Sequence, residues 1–142
     1  MNYFLERIFK LQRFTKILIQ ISCDTIVISL CFMMSMAMRL DSLNFIAYYD
    51  VWKILLIIVP LTLTIYHSLG FYKAIIRYIS GKIVLTVGLS TILSSFSLYI
   101  IGTQLEQPIP RSVPFIYFTI LFISTTGIRI CIKNIYLLYR YD

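Results

Sequence analysis

Charged residues are scarce in this sequence: Asp, Glu, Lys and Arg make up only 13% of its 142 residues, against about 25% in an average soluble domain. Apolar residues make up 59% of the chain, and its mean hydropathy is +0.85. A chain this short has too small an interior to shield so much apolar surface from water. The composition therefore excludes a soluble catalytic domain and predicts that lipid surrounds most of the chain.

Glycine is also rare, with five residues in all, and the sequence has no glycine-rich fingerprint of the kind that cradles a dinucleotide. Tyr49 and Lys53 have the spacing of the catalytic pair of short-chain dehydrogenases, but they fall at a predicted membrane edge. At such an edge Tyr49, Trp52 and Lys53 are typical of interfacial anchors. We therefore predict no catalytic residue and no cofactor in this chain, and in particular no site for NAD(P) or a nucleotide sugar.

The three cysteines, Cys23, Cys31 and Cys131, have no Cys-x-x-Cys spacing and no histidine near them in the sequence. Structural disulfides need an oxidising compartment and usually an even number of cysteines. We therefore interpret all three as buried small apolar residues and predict no metal site.

Four long apolar runs account for most of the chain. Three of them approach or exceed 18 residues, which favours membrane-spanning helices over the shorter strands of a soluble core. The fourth is shorter and is expected to continue past Arg129, whose long stem can reach the headgroups. Because lipid offers the backbone no hydrogen-bonding partner, the predicted fold is all-α, an integral membrane four-helix bundle. Its predicted spans are residues 17–38, 54–72, 83–101 and 113–128.

Basic residues are distributed unequally between the two sides that these spans define. Ten of the thirteen Lys and Arg residues fall in residues 1–16, in the connection between the second and third spans, or in the tail from Arg129 onward. The other three are Arg39, Lys53 and Arg111. Because the side richer in Lys and Arg stays in the cytoplasm, we predict that both chain ends are cytoplasmic.

The net charge of +7 also bears on the partners of the chain. The basic residues flank apolar runs and lack the context of a nucleic-acid motif, so we predict anionic inner-leaflet lipids as partners and exclude nucleic acid. Residues 1–16 place Phe4, Ile8 and Leu11 at helical spacing beside basic residues, which predicts a basic amphipathic helix on the membrane surface. Residues 129–142 are interpreted as a cytoplasmic juxtamembrane helix or tail.

Asp24 lies inside a predicted span, where a carboxylate is costly unless it is paired or functional. The predicted spans place Asp24, His67, Arg77 and Arg129 in or near the cytoplasmic third of the membrane. One interpretation is a polar clamp, meaning a set of polar side chains that hold helices together. The other is a proton-coupled transport carboxylate. The clamp is favoured, because Asp24 lies away from the membrane centre and no second acid shares the membrane with it.

Small hydroxyl residues recur at close spacing in the third predicted span, at Ser90, Thr91, Ser94 and Ser95. Small residues four apart allow helices to approach closely within a membrane. The pattern predicts that this span packs inside the bundle or against a second copy of the chain.

Three stretches of the sequence together resemble a known family. They are Asp24 followed by a span ending at Met38-Arg39, Leu69-Gly-Phe-Tyr-Lys73 with Arg77-Tyr78, and Ile109-Pro-Arg-Ser-Val113 before a span closing on Gly127-Ile-Arg129. Their order and spacing resemble the amino-terminal membrane region of the nucleotide-sugar dehydratases of polysaccharide biosynthesis, the CapD-like and WbpM-like proteins. The resemblance covers nearly the whole chain. Its matching positions are Arg39, Leu69, Gly70, Tyr72, Lys73, Arg77, Tyr78, Pro110, Arg111, Ser112, Val113 and Arg129.

The resemblance implies a multi-pass protein of the bacterial cytoplasmic (inner) membrane that tethers a cytoplasmic Rossmann domain. In that family the domain holds NAD(P) and acts as a UDP-N-acetylglucosamine 4,6-dehydratase or epimerase for lipopolysaccharide O-antigen, capsule or protein glycans. The present sequence stops at Asp142, where the linker to such a domain would begin, so no catalytic residue carries over. The expectation is therefore a membrane-anchor region, truncated or split before its catalytic domain.

Two other functions stay open from the sequence. A small four-span proton-coupled transporter would use Asp24 as its coupling acid, although such transporters often insert in both orientations and carry little of the charge bias seen here. A scaffold subunit of a glycan-assembly complex, or a homo-oligomer, is compatible with the same features.

Overall fold

The computed structural model describes four long helices and one short helix, with no strand in the described part of the chain. The described residues are Tyr3, Glu6, Arg7, 13–48, 50–70, 81–106 and 109–141. The helices are α1 (Arg13–Leu40), α2 (Phe45–Tyr48), α3 (Val51–Ser68), α4 (Gly81–Gln104) and α5 (Val113–Tyr141).

The four long helices are each long and apolar enough to cross a membrane. This confirms the expectation of an all-helical protein with four membrane-spanning helices. The crossing segments are Phe14–Leu40, Val51–Ser68, Val84–Gln104 and Val113–Ile135. α5 runs past Arg129 to Tyr141, and α1 begins at Arg13, inside the segment predicted to lie on the membrane surface. Tyr3, Glu6 and Arg7 of that segment are helical, whereas Phe4, Ile8 and Leu11 lie outside the described residues.

The four long helices pack side by side in a ring. The principal neighbours of α1 are α3 and α5, and those of α4 are the same two helices. Contacts of Asp24 with Arg129 and of Cys31 with Ser124 show that α1 and α5 run antiparallel. The end of the bundle where α1 begins and α5 finishes is called the terminal end below. The end where α1 finishes and α5 begins is called the loop end.

The outward faces of the helices are apolar. Leu30, Leu56 and Phe96 are 57%, 76% and 63% exposed, which suits contact with lipid chains because these are as apolar as leucine. Hydroxyl groups on the same faces bond within their own helix, as Ser22 does to the Leu18 carbonyl at 2.9 Å. The lipid-facing surface is therefore mainly hydrocarbon, which matches the lipid chains around it.

The connections leave the helices through residues with left-handed backbone. Asp41 follows α1 with a φ of 52°, Gly70 follows α3 with a φ of 73°, and Glu106 follows α4 with a φ of 54°. At Gly70 this conformation costs no steric strain, and its N–H donates to the His67 carbonyl at 3.1 Å. Each such residue ends a helix sharply by turning the chain away from its axis.

Candidate functional site

An ion pair joins the first and last spans inside the bundle. Arg129 Nη2 on α5 lies 3.3 Å from Asp24 Oδ2 on α1, and the two side chains are 8% and 6% exposed, respectively. Because the helices are antiparallel, both residues lie at the same level, nearer the terminal end. A single charge in hydrocarbon is costly. These two charges are tolerated inside the bundle because each neutralises the other.

Gln20 also binds the Arg129 guanidinium. It lies four residues before Asp24, which places both side chains on the same face of α1. With its amide oxygen turned toward the guanidinium, Gln20 accepts hydrogen bonds from Nη2 at 2.9 Å and from Nη1. Two side chains of α1 therefore hold one side chain of α5.

The third helix brings Tyr66, and not His67, to this level of the core. Tyr66 is fully buried and interacts electrostatically with both Asp24 and Arg129, whereas His67 is exposed. Consecutive residues point about 100° apart around a helix of 3.6 residues per turn, so these neighbours face different surroundings. Of the four residues predicted to form the clamp, the structure brings Asp24 and Arg129 together and places His67 on the surface of α3. Arg77 lies outside the described residues.

A second polar feature lies deeper in the bundle and joins three helices. Thr62 on α3 and Ser94 on α4 share a hydrogen bond of 2.8 Å, and Ser94 shares another of 3.0 Å with the Tyr117 hydroxyl on α5. All three residues are fully buried. The Ser95 hydroxyl donates to the Pro114 carbonyl at 2.7 Å, which ties α4 to the first turn of α5. Side-chain bonds of this kind associate helices within membranes.

The small face of α4 lies inside the bundle. Ser90, Thr91 and Ser94 are fully buried, so the first of the two placements predicted from their spacing is the one observed. Ser90 and Thr91 both donate to the Val87 carbonyl, at 2.9 and 2.8 Å. Their hydroxyls are thus satisfied within α4, and their small size lets neighbouring helices approach.

The cysteines do not behave as one class. Cys31 is buried and lies on the α1–α5 contact, with its Sγ atom 3.7 Å from Ser124 Oγ. Cys23 and Cys131 are exposed, so the expectation that all three are buried is wrong for these two. A thiol is weakly polar and behaves as a small hydrophobe, so a face turned toward lipid accepts it as readily as a core does.

The half of the bundle near the loop end has a mostly apolar core. Its buried apolar residues are Phe32, Met36, Phe45, Val51, Ile54, Leu98, Ile101 and Val113. Here α4 packs closely against the chain segment that leads into α5. The approach at Gly102 is so close that a Cβ atom there would lie 2.7 Å from Ile109 Cδ1. Close packing is therefore prominent in this half, alongside the bond from Ser95 to the Pro114 carbonyl.

The positions that resemble the dehydratase family are spread over both ends of the bundle. Leu69 and Gly70 follow α3 at the terminal end, and Arg39 lies in the last turn of α1 at the loop end. Pro110, Arg111, Ser112 and Val113 also lie at the loop end, at the entry to α5. Among these described positions, Arg129 is the one that takes part in the buried ion pair. Tyr72, Lys73, Arg77 and Tyr78 lie outside the described residues.

Three polar contributors were not predicted from the sequence. Gln20 had a usable signal, since it precedes Asp24 by one helical turn. Tyr66 follows Thr62 by the same spacing, so the two share a face of α3. The chain of hydroxyls from Thr62 to Tyr117 had no signal of its own, because the partners come from three separate helices.

Within the described ranges, no group of three or more His, Cys, Asp or Glu side chains is arranged to hold a metal ion. Comparison with known protein families, with curated proteins and with solved structures gave no match. Function is therefore inferred from the residues of this chain and their geometry.

Proposed function

We propose that this chain is a membrane-anchor module of the bacterial cytoplasmic membrane, which positions a nucleotide-sugar dehydratase of polysaccharide biosynthesis at the cytoplasmic face. The observation that carries the proposal is the buried pair of Asp24 and Arg129. It fastens the first span to the last, and these are the helices that lead to the two chain ends. An anchor needs this connection, because whatever is attached at an end must be held by the whole bundle.

The lengths of the helices support an anchor. α1 has 28 residues and α5 has 29, so at 1.5 Å per residue they measure roughly 42 and 44 Å, against about 30 Å for the hydrocarbon core. α3, with 18 residues, measures about 27 Å. Because α5 extends past its membrane-crossing segment at Ile135, its last turns would project from the terminal end as a helical support for a cytoplasmic partner.

The charge distribution supports an orientation with both ends in the cytoplasm. In the sequence, ten of the thirteen basic residues fall in residues 1–16, in the connection between α3 and α4, or from Arg129 onward. Lys and Arg are retained on the cytoplasmic side during insertion. This orientation would direct the projecting turns of α5 toward the compartment in which nucleotide sugars are made.

The environment of Asp24 speaks against the rival proton-coupled transporter. A carboxylate that carries protons must be reached from each side of the membrane in turn. The Asp24 side chain is only 6% exposed and pairs with a guanidinium, which remains charged at all relevant pH values. Between this pair and the loop end lie the buried apolar residues Phe32 and Met36. A structural clamp explains this arrangement better than a transport site.

The choice of enzyme rests on the sequence resemblance to the CapD-like and WbpM-like proteins. Under this proposal NAD(P) and UDP-N-acetylglucosamine bind to the associated catalytic domain, and the present chain contributes location. Enzymes that feed O-antigen or capsule assembly gain from being held at the inner leaflet, where their products are transferred to lipid carriers. A scaffold for other glycan-assembly proteins would use the same membrane module.

The first test asks which activity the module holds at the membrane. In cells that make the native proteins, a photo-cross-linking residue replaces Asn134, which is exposed on α5, and a matched control replaces Leu30, which is exposed in the middle of α1. We expect position 134, and not position 30, to capture a protein with UDP-N-acetylglucosamine 4,6-dehydratase activity. Deletion of the module should move that activity from the membrane fraction to the soluble fraction. An unchanged distribution of activity would refute the proposal.

The second test addresses topology and transport. Reporter fusions after Lys16 and after Asp142 should read cytoplasmic, and a fusion within residues 41–50 should read external. Comparable signals from both sides for one fusion would contradict the fixed orientation. In proteoliposomes, proton-gradient-driven uptake that is lost in Asp24→Asn without loss of stability would favour the transporter instead.

A further inference from the structure

The connection between α1 and α3 at the loop end carries large apolar side chains that the bundle does not bury. Leu43, Ile46 and Trp52, called the exposed apolar set below, are 70%, 42% and 74% exposed. Leu43 and Ile46 belong to one turn, because the Ile46 N–H donates to the Leu43 carbonyl at 3.4 Å. Residues three apart in such a turn lie on the same side of it. The turn therefore presents two apolar side chains together.

Another side of the same turn is fixed to the bundle. Phe45 lies between Leu43 and Ile46 in the sequence and is only 2% exposed. It is part of the buried apolar core, as is Val51 in the first turn of α3. The short helix α2 also contacts α1. The connection is thus packed onto the end of the bundle and does not extend away from it.

The length of α3 sets the depth of this connection. α3 has 18 residues, which measure about 27 Å and so barely cross a hydrocarbon core of about 30 Å. Its first turn, which contains Trp52, must therefore lie at the hydrocarbon boundary. Two residues separate the end of α2 at Tyr48 from Val51. Three Cα–Cα steps of about 3.8 Å limit that distance to roughly 11 Å, so α2 lies close to the same boundary.

The lipid-facing surfaces of both neighbouring helices reach this connection. On α1, Leu30, Met34 and Met38 are exposed at four-residue spacing, so they form one stripe that runs to the end of the helix. On α3, Trp52 lies four residues before the exposed Leu56 and shares its face. The exposed apolar surface of each helix is therefore continuous in the direction of the loop end.

We propose that the connection between α1 and α3 lies on the membrane, with the exposed apolar set inserted where lipid headgroups meet acyl chains. Removal of apolar surface from water is favourable, and an indole ring prefers this region because it is apolar with one polar N–H. A bilayer suits the set better than a second copy of the chain, because Trp52 continues a face of α3 that already meets lipid. The inserted set fixes how deeply the loop end sits in its leaflet. This inference does not depend on which enzyme the module anchors or on which compartment the loop end faces.

The experiment uses fluorescence, because Trp52 is the only tryptophan of the sequence. The purified full chain is placed, one copy per disc, in nanodiscs of phosphatidylcholine that carries bromine either near the headgroup or near the end of the acyl chain. Bromine quenches a nearby indole, and iodide does so from the water. We expect the shallow bromines to quench Trp52 more than the deep ones. Quenching of Trp52 by iodide alone would overturn the proposal.

The turn at α2 is tested in the variant Trp52→Phe, where one new tryptophan is introduced at a time. Ile46→Trp and Leu43→Trp should be quenched by shallow bromine more than by iodide. Asn44→Trp is the matched control, because Asn44 is an exposed residue of the same turn that points about 100° away from Leu43. It should be quenched mainly by iodide. The same iodide quenching at all three positions, without an effect of bromine, would place the connection in water and overturn the proposal.

Two further measurements test the occupant and the effect on depth. Bromine quenching at Ile46→Trp that is lost in discs holding two copies would show that a second copy covers the set, which would also overturn the proposal. With Trp52 retained, Leu43→Ser/Ile46→Ser should shift its emission to longer wavelength, because the loop end then sits less deeply. Asn44→Ser is the control and should cause no shift. An unchanged emission in the double variant, with helicity equal to that of wild type, would refute the role of the set in fixing depth.

Discussion

The two halves of the bundle hold their helices together by different means. In the terminal half, an ion pair between Asp24 and Arg129 and the amide of Gln20 join α1 to α5. In the loop half, the core is mostly apolar, and α4 packs closely against Ile109 at Gly102. The hydroxyl chain centred on Ser94 lies between these two regions.

The difference shows that, in a membrane protein, the contacts that select neighbouring helices and the contacts that pack them closely can lie in different regions. In lipid, apolar side chains gain little from facing each other, because the surrounding hydrocarbon is equally apolar. Close packing in the loop half therefore contributes dispersion contacts but discriminates weakly between partners. The polar pair in the terminal half can be satisfied in one arrangement, with α1 beside α5. It thereby selects which helices are neighbours.

Removing one partner of the ion pair should have the largest effect. Arg129→Leu leaves Asp24 buried without its cation, and we expect the free energy of unfolding to fall by about 3–5 kcal/mol. Asp24→Asn should cost less, because the amide still accepts a hydrogen bond from Arg129. Reversible unfolding in mixtures of detergent and SDS measures both values.

The matched control for that prediction is the double variant Asp24→Leu/Arg129→Leu. Replacing a buried ion pair by apolar side chains of similar size is often neutral or stabilising, so the double variant should be more stable than either single change to Leu. Single variants as stable as wild type would show that the buried ion pair does not stabilise the terminal half.

Overfilling the loop half should have the next largest effect. Gly102→Ala would place a Cβ atom 2.7 Å from Ile109 Cδ1 and 3.1 Å from its Cγ1, and we expect a loss of about 1–3 kcal/mol. Ile109→Ala should restore part of that loss by making room. Gly127→Ala is the control, because nothing lies within 4 Å of its Cβ position. Equal effects at the two glycines, measured by the same unfolding assay, would show that close packing at Gly102 does not matter.

Breaking the hydroxyl chain should have a smaller effect. Ser94→Ala removes two interhelical hydrogen bonds, and since such bonds average about 0.6 kcal/mol in membranes, we expect a loss of about 1 kcal/mol. A double-mutant cycle with Tyr117→Phe measures the coupling between α4 and α5. Ser97→Ala should be silent, because the Ser97 hydroxyl bonds within its own helix to the Leu93 carbonyl at 2.7 Å. If Ser94 and Tyr117 showed no coupling, the hydrogen bond between them would not contribute to the specific pairing of α4 with α5.

The smallest effect is expected at the exposed ion pair of the loop end. Lys53 Nζ lies 2.9 Å from Asp50 Oδ2, with side chains 69% and 53% exposed. Exposed pairs contribute about 0–1 kcal/mol and are screened by salt. Lys53→Gln should therefore change stability far less than Arg129→Leu, and melting experiments at low and high salt check this. A loss as large as that at Arg129 would erase the distinction between buried and exposed pairs.

The four long helices could be predicted from the sequence, and so could the need of Asp24 for a partner inside the membrane. Run length marks a membrane-spanning helix directly, and an acid within such a run calls for a partner. Arg129 was among the three candidates for Asp24, because it lies near the predicted cytoplasmic end of its own span. The exact level at which the helices meet was not needed for this prediction.

The rotation of each helix about its own axis could not be predicted. The differences between the predicted and the observed burial of side chains follow from it. The long helices are apolar on nearly every face, so the sequence of α3 does not reveal whether Tyr66 or His67 points inward. The same ambiguity left Cys23 and Cys131 assigned to the core. Ser and Thr can bond within their own helix or across to another, so only the packed structure distinguishes Thr62 from Thr64, which donates to the Pro60 carbonyl.

The pairing of the first span with the last has a consequence for the order of synthesis. Asp24 precedes Arg129 by 105 residues, so at a translation rate of about 5–20 residues per second the carboxylate waits roughly 5–20 s for its cation. During that time the first span must remain near water, near headgroups or near the insertion machinery, since an isolated charge is poorly tolerated in hydrocarbon. The arrival of α5 is therefore the event that allows α1 to settle, and the ring of four helices closes only once α5 has been made.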